Sequence, residues 1–170
     1  GMTEILPQLA AELDALLHHA AFFPLEDLGW LRVTGEDRVR WLNGMVTNSI
    51  ADLTPGQGCY NFVLNAQGRI QGDLTAFLLE KSILLETGRD QVEKILAHLE
   101  HFIIMDDVEV ADISDQRKGI LIAGPHALST VQQIGSAACS SPPPPTPLAT
   151  DISLKQTAYH GANVLLIQAY

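Results

Sequence analysis

The segment NAQGRIQGDL, residues 65–74, places a single carboxylate, Asp73, directly after a glycine in a predicted strand. A carboxylate can act as a general acid or base only within hydrogen-bond reach of the substrate atom. Asp73 is therefore a candidate catalytic acid. The competing interpretation is an ordinary strand carboxylate, either solvated or paired with Arg69.

Strand alternation predicts which way Asp73 points. Successive side chains of a strand lie on opposite faces. One face of the predicted strand then carries Ile70, Gly72, Leu74, Ala76 and Leu78, and the other carries Arg69, Gln71, Asp73, Thr75 and Phe77. A register slip would expose the whole apolar set, so only a local bulge at Gly72 could bring Asp73 to the first face.

Other types of site find little support in the sequence. His98 and His101 share a helix face but lack a third ligand, so we predict no metal site. The sequence contains no phosphate-binding loop, GxGxxG, GxSxG or CxxC motif, which argues against nucleotide hydrolysis, dinucleotide binding and serine hydrolysis. Cys59 and Cys139 are isolated, which is typical of free thiols in a reducing compartment.

Composition sets the class of protein. The chain has 170 residues, 46% of them hydrophobic, which is enough for one domain with a sizeable core, residues 1–170. Its formal charge of −10 makes direct nucleic-acid binding unlikely on electrostatic grounds. No apolar run reaches the roughly 18 residues that a membrane span needs, so we expect no membrane association and a cytoplasmic location.

The elements that must position Asp73 follow from periodicity and turn residues. Apolar spacing predicts an N-terminal helix from Thr3, a short helix over residues 36–46 and an amphipathic helix from Val92 to Ile103. Strands are predicted at 29–34, 59–64, 69–80, 83–87, 107–113, 118–123, 152–159 and 163–170. The expected fold is α+β, an antiparallel sheet with packed helices, with the proline-rich segment 140–147 as an exposed loop.

Four segments taken in order resemble a known family. They are VTGEDRVRWLNGMVTNSI, LTPGQGCY, LNAQGRIQGDL and IAGPHA. Together they are similar to the N-terminal folate-binding region of the aminomethyltransferase family, which includes the glycine cleavage T-protein and the YgfZ-type folate-binding proteins. Members of that family carry a further C-terminal portion that this sequence lacks. The QGCYNF segment only superficially resembles a YgfZ-type cysteine motif, and Cys59 inherits no role from it.

The resemblance implies a cavity for tetrahydrofolate or a derivative. In the T-protein branch a pair of aspartates occupies the positions matched by Gly72-Asp73, and the first aspartate serves the transfer of the aminomethyl carbon. Here glycine replaces that first acid. At Gly72 a pteridine ring or a packed helix could approach closely, and both interpretations stay open. Glu86 is a candidate for holding the pterin's donor groups, and Asn48 and Arg69 are candidates for polar edges or the glutamyl tail.

Three hypotheses about function follow. The preferred one is a folate-binding protein, YgfZ-like and non-catalytic or weakly catalytic, serving iron-sulfur enzyme maturation or tRNA modification as that resemblance implies. The second is an aminomethyltransferase whose acid has been relocated. The third is a folate-free protein-interaction module, which associates with a partner or with a second copy through its terminal strands. If the Asp73 carboxylate lined a pterin-sized cavity, the non-catalytic interpretation would have to be abandoned.

Overall fold

The computed structural model describes residues 2–127, 129–130, 152–159 and 162–169. Its three helices are α1 (Met2–His18), α2 (Arg38–Asn43) and α3 (Val92–His101). Its nine strands are β1 (Ala21–Leu25), β2 (Leu28–Thr34), β3 (Gln57–Leu64), β4 (Ile70–Leu78), β5 (Ile83–Gly88), β6 (Glu109–Asp112), β7 (Gly119–Ala123), β8 (Ile152–Tyr159) and β9 (Ala162–Ala169). The α+β prediction is confirmed.

Seven strands form one sheet in the order β6-β2-β5-β4-β3-β8-β9. The pairs that hold β2 to β6 and β5, and β4 to β3 and β5, are antiparallel, as the predicted antiparallel sheet requires. β1 and β7 form a separate antiparallel pair. The strand β1, five residues that include Pro24, was not predicted from the sequence, because a proline within an apolar run argues against a strand.

By its internal contacts the chain divides into two compact units. One consists of Gly1–Glu26, Lys118–Pro144 and Thr157–Val164, and the other of Asp27–Arg117, Pro145–Gln156 and Leu165–Tyr170. The expectation of a single domain stays a prediction, because a compact unit need not fold alone. The proline-rich segment 140–147 and residues 160–161 lie outside the described residues. No helix among those described is long and apolar enough to cross a membrane.

The helix α3 covers one face of the seven-stranded sheet. Its apolar stripe, Val92, Ile95 and Leu99, is buried in the main core together with Leu74 and Ala76 of β4. A smaller apolar cluster on the opposite face contains Trp30, Phe77, Leu84 and Ile113. We call the face covered by α3 the helix face, and the face that carries this smaller cluster the second face.

A bulge interrupts the β3–β4 pairing close to Asp73. Val63 pairs with Gly72, but the next pair is Leu64 with Ile70, so β4 carries one extra residue between them. Beyond the bulge Ile70 has left the apolar helix face and is 60% exposed, which corrects its predicted place beside Leu74. Because the bulge precedes Gly72, the alternation from Gly72 to Leu78 is unchanged.

Candidate functional site

The second face carries a row of four side chains across four adjacent strands. Glu86 pairs with Trp30 on one side and with Thr75 on the other, and Thr75 pairs with Tyr60. A cavity of about 190 Å³ lies along this row. Its lining includes Leu28, Tyr60, Asp73, Thr75, Glu86 and Thr87. The structure therefore brings together two of the predicted site residues, Asp73 and Glu86.

The cavity lies where the pairing of β4 with β5 stops. The register runs from Leu78 and Ile83 to Thr75 and Glu86. Past that point the backbone of Asp73 bonds to side chains instead of to β5. The Thr87 hydroxyl donates to the carbonyl oxygen of Asp73 (2.7 Å), and the Gln91 Oε1 accepts from the Asp73 backbone N–H (3.1 Å). These bonds satisfy the backbone of β4 without a paired strand residue, which leaves room beside Glu86.

Both carboxylate oxygens of Asp73 are occupied. The Tyr60 hydroxyl donates to Oδ2 (2.6 Å), and the Gln91 Nε2 donates to Oδ1 (2.9 Å). These two bonds, the Tyr60 bond first, hold the pKa of Asp73 below its ordinary value. The partners are therefore Tyr60 and Gln91, and the predicted pairing with Arg69 does not occur.

Glu86 differs from Asp73 in its hydrogen bonding. Its carboxylate is half-buried and makes no hydrogen bond to any residue that the structure describes. Burial alone raises the pKa of Glu86 above its ordinary value. Two carboxylates on one cavity thus have their pKa values moved apart, a pattern that separates an ionised group from a protonatable one.

Gly72 lies on the helix face and adds nothing to the cavity. A Cβ at this position would lie 2.7 Å from the Oε1 of Gln91 and 3.1 Å from the Cδ1 of Ile95, both on the α3 side. Of the two open interpretations of this glycine, the structure shows the close approach of a helix. The absence of a side chain at Gly72 also lets Gln91 reach Asp73.

Two further candidates, Arg69 and Asn48, lie away from the cavity lining. Arg69 is exposed at the end of the turn, where its backbone N–H donates to the Asn65 side chain (2.9 Å). The Asn48 side chain donates to the carbonyl oxygen of Tyr60, and its backbone N–H donates to the Oδ1 of the buried Asn61 (2.6 Å). Asn48 therefore supports the backbone of β3 behind Tyr60.

Sequence reasoning missed Tyr60, Thr87 and Gln91. Tyr60 could have been found, because a hairpin closed by the turn at 65–68 must bring residue 60 opposite the residues just after Asp73. Gln91 carried no signal, since it lies 18 residues from Asp73 and the contact depends on how the start of α3 is placed. Among the described residues no group of three or more His, Cys, Asp or Glu side chains could hold a metal ion.

Comparison with known proteins gives concordant results. A family model described as the GCVT N-terminal domain matches residues 3–157. An aminomethyltransferase from Deinococcus deserti is 25% identical over 159 residues, which is 90% of this chain and 44% of that protein. An aminomethyltransferase from Thermosipho melanesiensis is 26% identical over 162 residues, 93% of this chain and 40% of that protein.

A solved structure supports the fold. The crystal structure of the glycine cleavage system aminomethyltransferase T from Bartonella henselae matches with a TM-score of 0.67 at 21% identity. The match covers 94% of this chain and 44% of that one. The chain thus spans less than half the length of the relatives that it matches.

Proposed function

The chain belongs to the family of the GCVT N-terminal domain, and from this membership we propose that it binds tetrahydrofolate or a derivative in the cavity beside Glu86, with little or no transfer activity. The cavity, about 190 Å³, is smaller than the pockets that enclose whole drug-sized ligands, roughly 300 Å³ and above. It suits the bicyclic ring of a reduced pterin, with the rest of the folate extending outside it.

The observation that carries the proposal is the unpartnered carboxylate of Glu86. The Glu86 oxygens are not sealed from solvent, so a ligand that supplies donors would take the place of water at this half-buried acceptor. The amino group and the adjacent ring N–H of a pterin present two donors side by side, and one carboxylate can accept both. Tyr60, at one end of the row, is 45% exposed and offers ring surface next to it, whereas Trp30, at the other end, is buried.

Two features argue against efficient transfer. Position 72, which matches the transfer acid of the T-protein branch, is a glycine and lies on the helix face. Asp73 is ionised at neutral pH, and both of its oxygens already accept hydrogen bonds, whereas a general acid must carry a proton that it can release. Asp73 then serves to position Tyr60 at the cavity. A YgfZ-like role in iron-sulfur maturation is the biological setting that we propose with it.

An aminomethyltransferase with a relocated acid is the second candidate. It is favoured by the same cavity, because Asp73 is one of the lining residues. If the Asp73 carboxylate contacts the bound ligand there, this candidate replaces the non-catalytic one. The arrangement differs from a free acid only in the bonds from Tyr60 and Gln91. A substrate amine that displaced either bond would restore a reactive carboxylate.

Calorimetric titration of the full chain with 5-formyltetrahydrofolate tests binding. We expect heat of binding in the wild type, a loss of affinity of about tenfold in Glu86→Gln, and no change in the exposed control Glu80→Gln, because a hydrogen bond to a charged group contributes about 1.5 kcal/mol or more. No heat at high micromolar ligand would favour the folate-free module instead.

Aminomethyl transfer from a lipoyl carrier protein to tetrahydrofolate separates the first two candidates. The proposal expects no turnover above the background without protein. Turnover by the wild type that is lost in Asp73→Asn would replace the proposal with the relocated-acid enzyme.

A further inference from the structure

Two arginines, Arg32 and Arg117, lie close together beside the proposed pterin cavity. Arg32 is on β2, two residues from Trp30 and therefore on the second face. Arg117 follows the turn at 114–116 and places its guanidinium carbon 5.8 Å from the centre of the Trp30 ring. Burial first, and the positive charge of Arg32 second, lower the pKa of Arg117.

Neither arginine has an acidic partner within the part of the chain that the structure describes. In contrast, Arg40 pairs with Asp106 (2.7 Å), Arg89 lies 3.9 Å from Asp115, and Arg38 donates to two carbonyl oxygens. The chain has 20 acidic and 10 basic residues, so acidic partners are abundant. Two adjacent guanidinium groups without one leave a local positive charge that suits an anion.

Neither arginine is among the residues that line the cavity, so the two lie outside the proposed pterin site, on the side of Trp30. Trp30 pairs directly with Glu86 on the neighbouring strand, which is about 5 Å away. Arg32 is two residues further along β2, a rise of about 7 Å. The Arg117 guanidinium lies over the Trp30 ring, a cation–π contact. A planar guanidinium can bind a carboxylate through two parallel hydrogen bonds.

We propose that Arg117 and Arg32 bind a carboxylate of the glutamyl tail of the folate whose pterin ring occupies the cavity beside Glu86, an assignment that rests on the proposed function. The ring is then held by a carboxylate and the tail by two guanidinium groups. A ligand with the ring alone binds through Glu86 only, and a ligand with the tail uses both subsites.

The test compares two ligands by calorimetry on the full chain. 5-Formyltetrahydrofolate has the ring and the tail, and 6-methyltetrahydropterin has the ring alone. We expect Arg117→Gln and Arg32→Gln each to weaken binding of 5-formyltetrahydrofolate about tenfold and to leave binding of 6-methyltetrahydropterin unchanged. Arg117→Lys, which keeps the charge without the planar fork, should have an intermediate effect. Arg40→Gln is the charge-matched control and should bind both ligands as the wild type does.

The outcomes separate this assignment from the function on which it rests. If wild-type protein binds both ligands and the two arginine variants match Arg40→Gln, the arginine subsite is wrong and the folate site stands. Equal weakening of both ligands in the arginine variants would also overturn it, since that result indicates a structural role beside Trp30. If neither ligand binds to the wild type, both proposals fall together.

Discussion

Two carboxylates on one cavity, Asp73 and Glu86, differ in what they have left to offer a ligand. Asp73 accepts from Tyr60 and Gln91, and this stabilises its ionised form. Glu86 has no donor within the described residues, and its pKa is raised by burial. The carboxylate of Asp73, the candidate catalytic acid, is thus already occupied by two hydrogen bonds. The carboxylate of Glu86 is the one that can accept hydrogen bonds from a ligand.

The raised pKa of Glu86 predicts a pH-dependent stability. Between the ordinary value of 4.5 and the raised native value, the native state binds more protons than the unfolded state. The free energy of unfolding therefore falls as the pH rises through that window. We expect Glu86→Gln to remove this fall and to be more stable than the wild type at neutral pH. Urea unfolding of both proteins from pH 4 to 8 measures it.

The exposed variant Glu80→Gln provides the matched control, because it removes the same charge outside the cavity. Its stability should follow the wild-type pH profile. Parallel profiles for the wild type and Glu86→Gln would contradict the assigned environment of Glu86.

The bond from Tyr60 to Asp73 predicts a coupled change in both groups. Donating to a carboxylate raises the pKa of Tyr60 above its ordinary value of 10.0. Asp73→Asn should return that pKa towards its ordinary value, which an ultraviolet titration of tyrosine absorbance detects by difference from Tyr60→Phe. A double-mutant cycle should give a coupling of about 1 kcal/mol, since Tyr60 is 45% exposed and solvent weakens the bond.

The sign of the Asp73 contribution is opposite to that of Glu86. Its native pKa lies below the ordinary 3.8, so the stability that it supplies is present above pH 3.8 and is lost as the pH falls through the lower native value. If the effects of Tyr60→Phe and Asp73→Asn on the free energy of unfolding are additive at neutral pH, the hydrogen bond between Tyr60 and Asp73 contributes nothing to stability.

At the scale of elements, the start of α3 completes the site. Gln91 precedes the helix and takes the place of a strand neighbour for Asp73, accepting from its backbone N–H and donating to its side chain. This is possible because Gly72 has no side chain on the helix face. One glycine on β4 and one amide before α3 are therefore coupled through the sheet.

Gly72→Ala should break that coupling. The added Cβ would lie 2.7 Å from the Oε1 of Gln91, which must move and release Asp73. We expect a loss of about 1 to 2 kcal/mol in the free energy of unfolding, together with a rise of the Asp73 pKa towards its ordinary value. Chemical denaturation and NMR titration of the Asp73 carboxyl measure the two effects.

Gly44→Ala is the control, because its Cβ would meet only the carbonyl oxygen of Trp41 at 3.5 Å, an ordinary contact. Little change should follow there. If Gly72→Ala leaves both the stability and the Asp73 pKa unchanged, Gln91 does not depend on this glycine. By the same geometry, Gly72→Asp would point its carboxylate at α3, so that substitution would not place an acid at the cavity.

The strong elements could be predicted from the sequence, and the long-range details could not. Periodicity located α3 and the strands from β2 to β5, because each buries a continuous apolar face. It overestimated α2, which ends at Asn43, since Val46 instead bridges to Val63 beside β3. The bulge before Gly72 left no mark in the local pattern, because Ile70 is as apolar as the residues whose face it leaves.

The candidate site, like the fold, could be predicted from the sequence only in part. Asp73 and Glu86 could be selected because carboxylates are unusual in strands of this apolar content. Their pairing with Tyr60 and Gln91, and the place of Arg117 over Trp30, depend on register and on loops that close at a distance. Tertiary contacts of this kind have no local sequence period to reveal them.

At the scale of the whole molecule, the net charge of the chain limits which partners it can bind directly. A net charge of −10 disfavours direct contact with RNA, so a role in tRNA modification would require a protein intermediary. β9 ends the seven-strand order of the described sheet, and the hypothesis of association through the terminal strands stays a prediction. Binding of the proposed folate, a small anionic ligand, is therefore the most direct property to test on the full chain.

A ligand that binds only the native protein must raise its stability. For one site the gain is about 2.7 kcal/mol when the free ligand is at 100 times its dissociation constant. We expect 5-formyltetrahydrofolate to raise the unfolding temperature of the full chain by differential scanning calorimetry, and Glu86→Gln to require about tenfold more ligand for the same rise. The chain forms two compact units, and if the scan resolves two transitions, the ligand should shift the one that belongs to the unit containing Asp27–Arg117. An unfolding profile that does not respond to saturating ligand would remove the folate site from this molecule and leave the interaction module as its function.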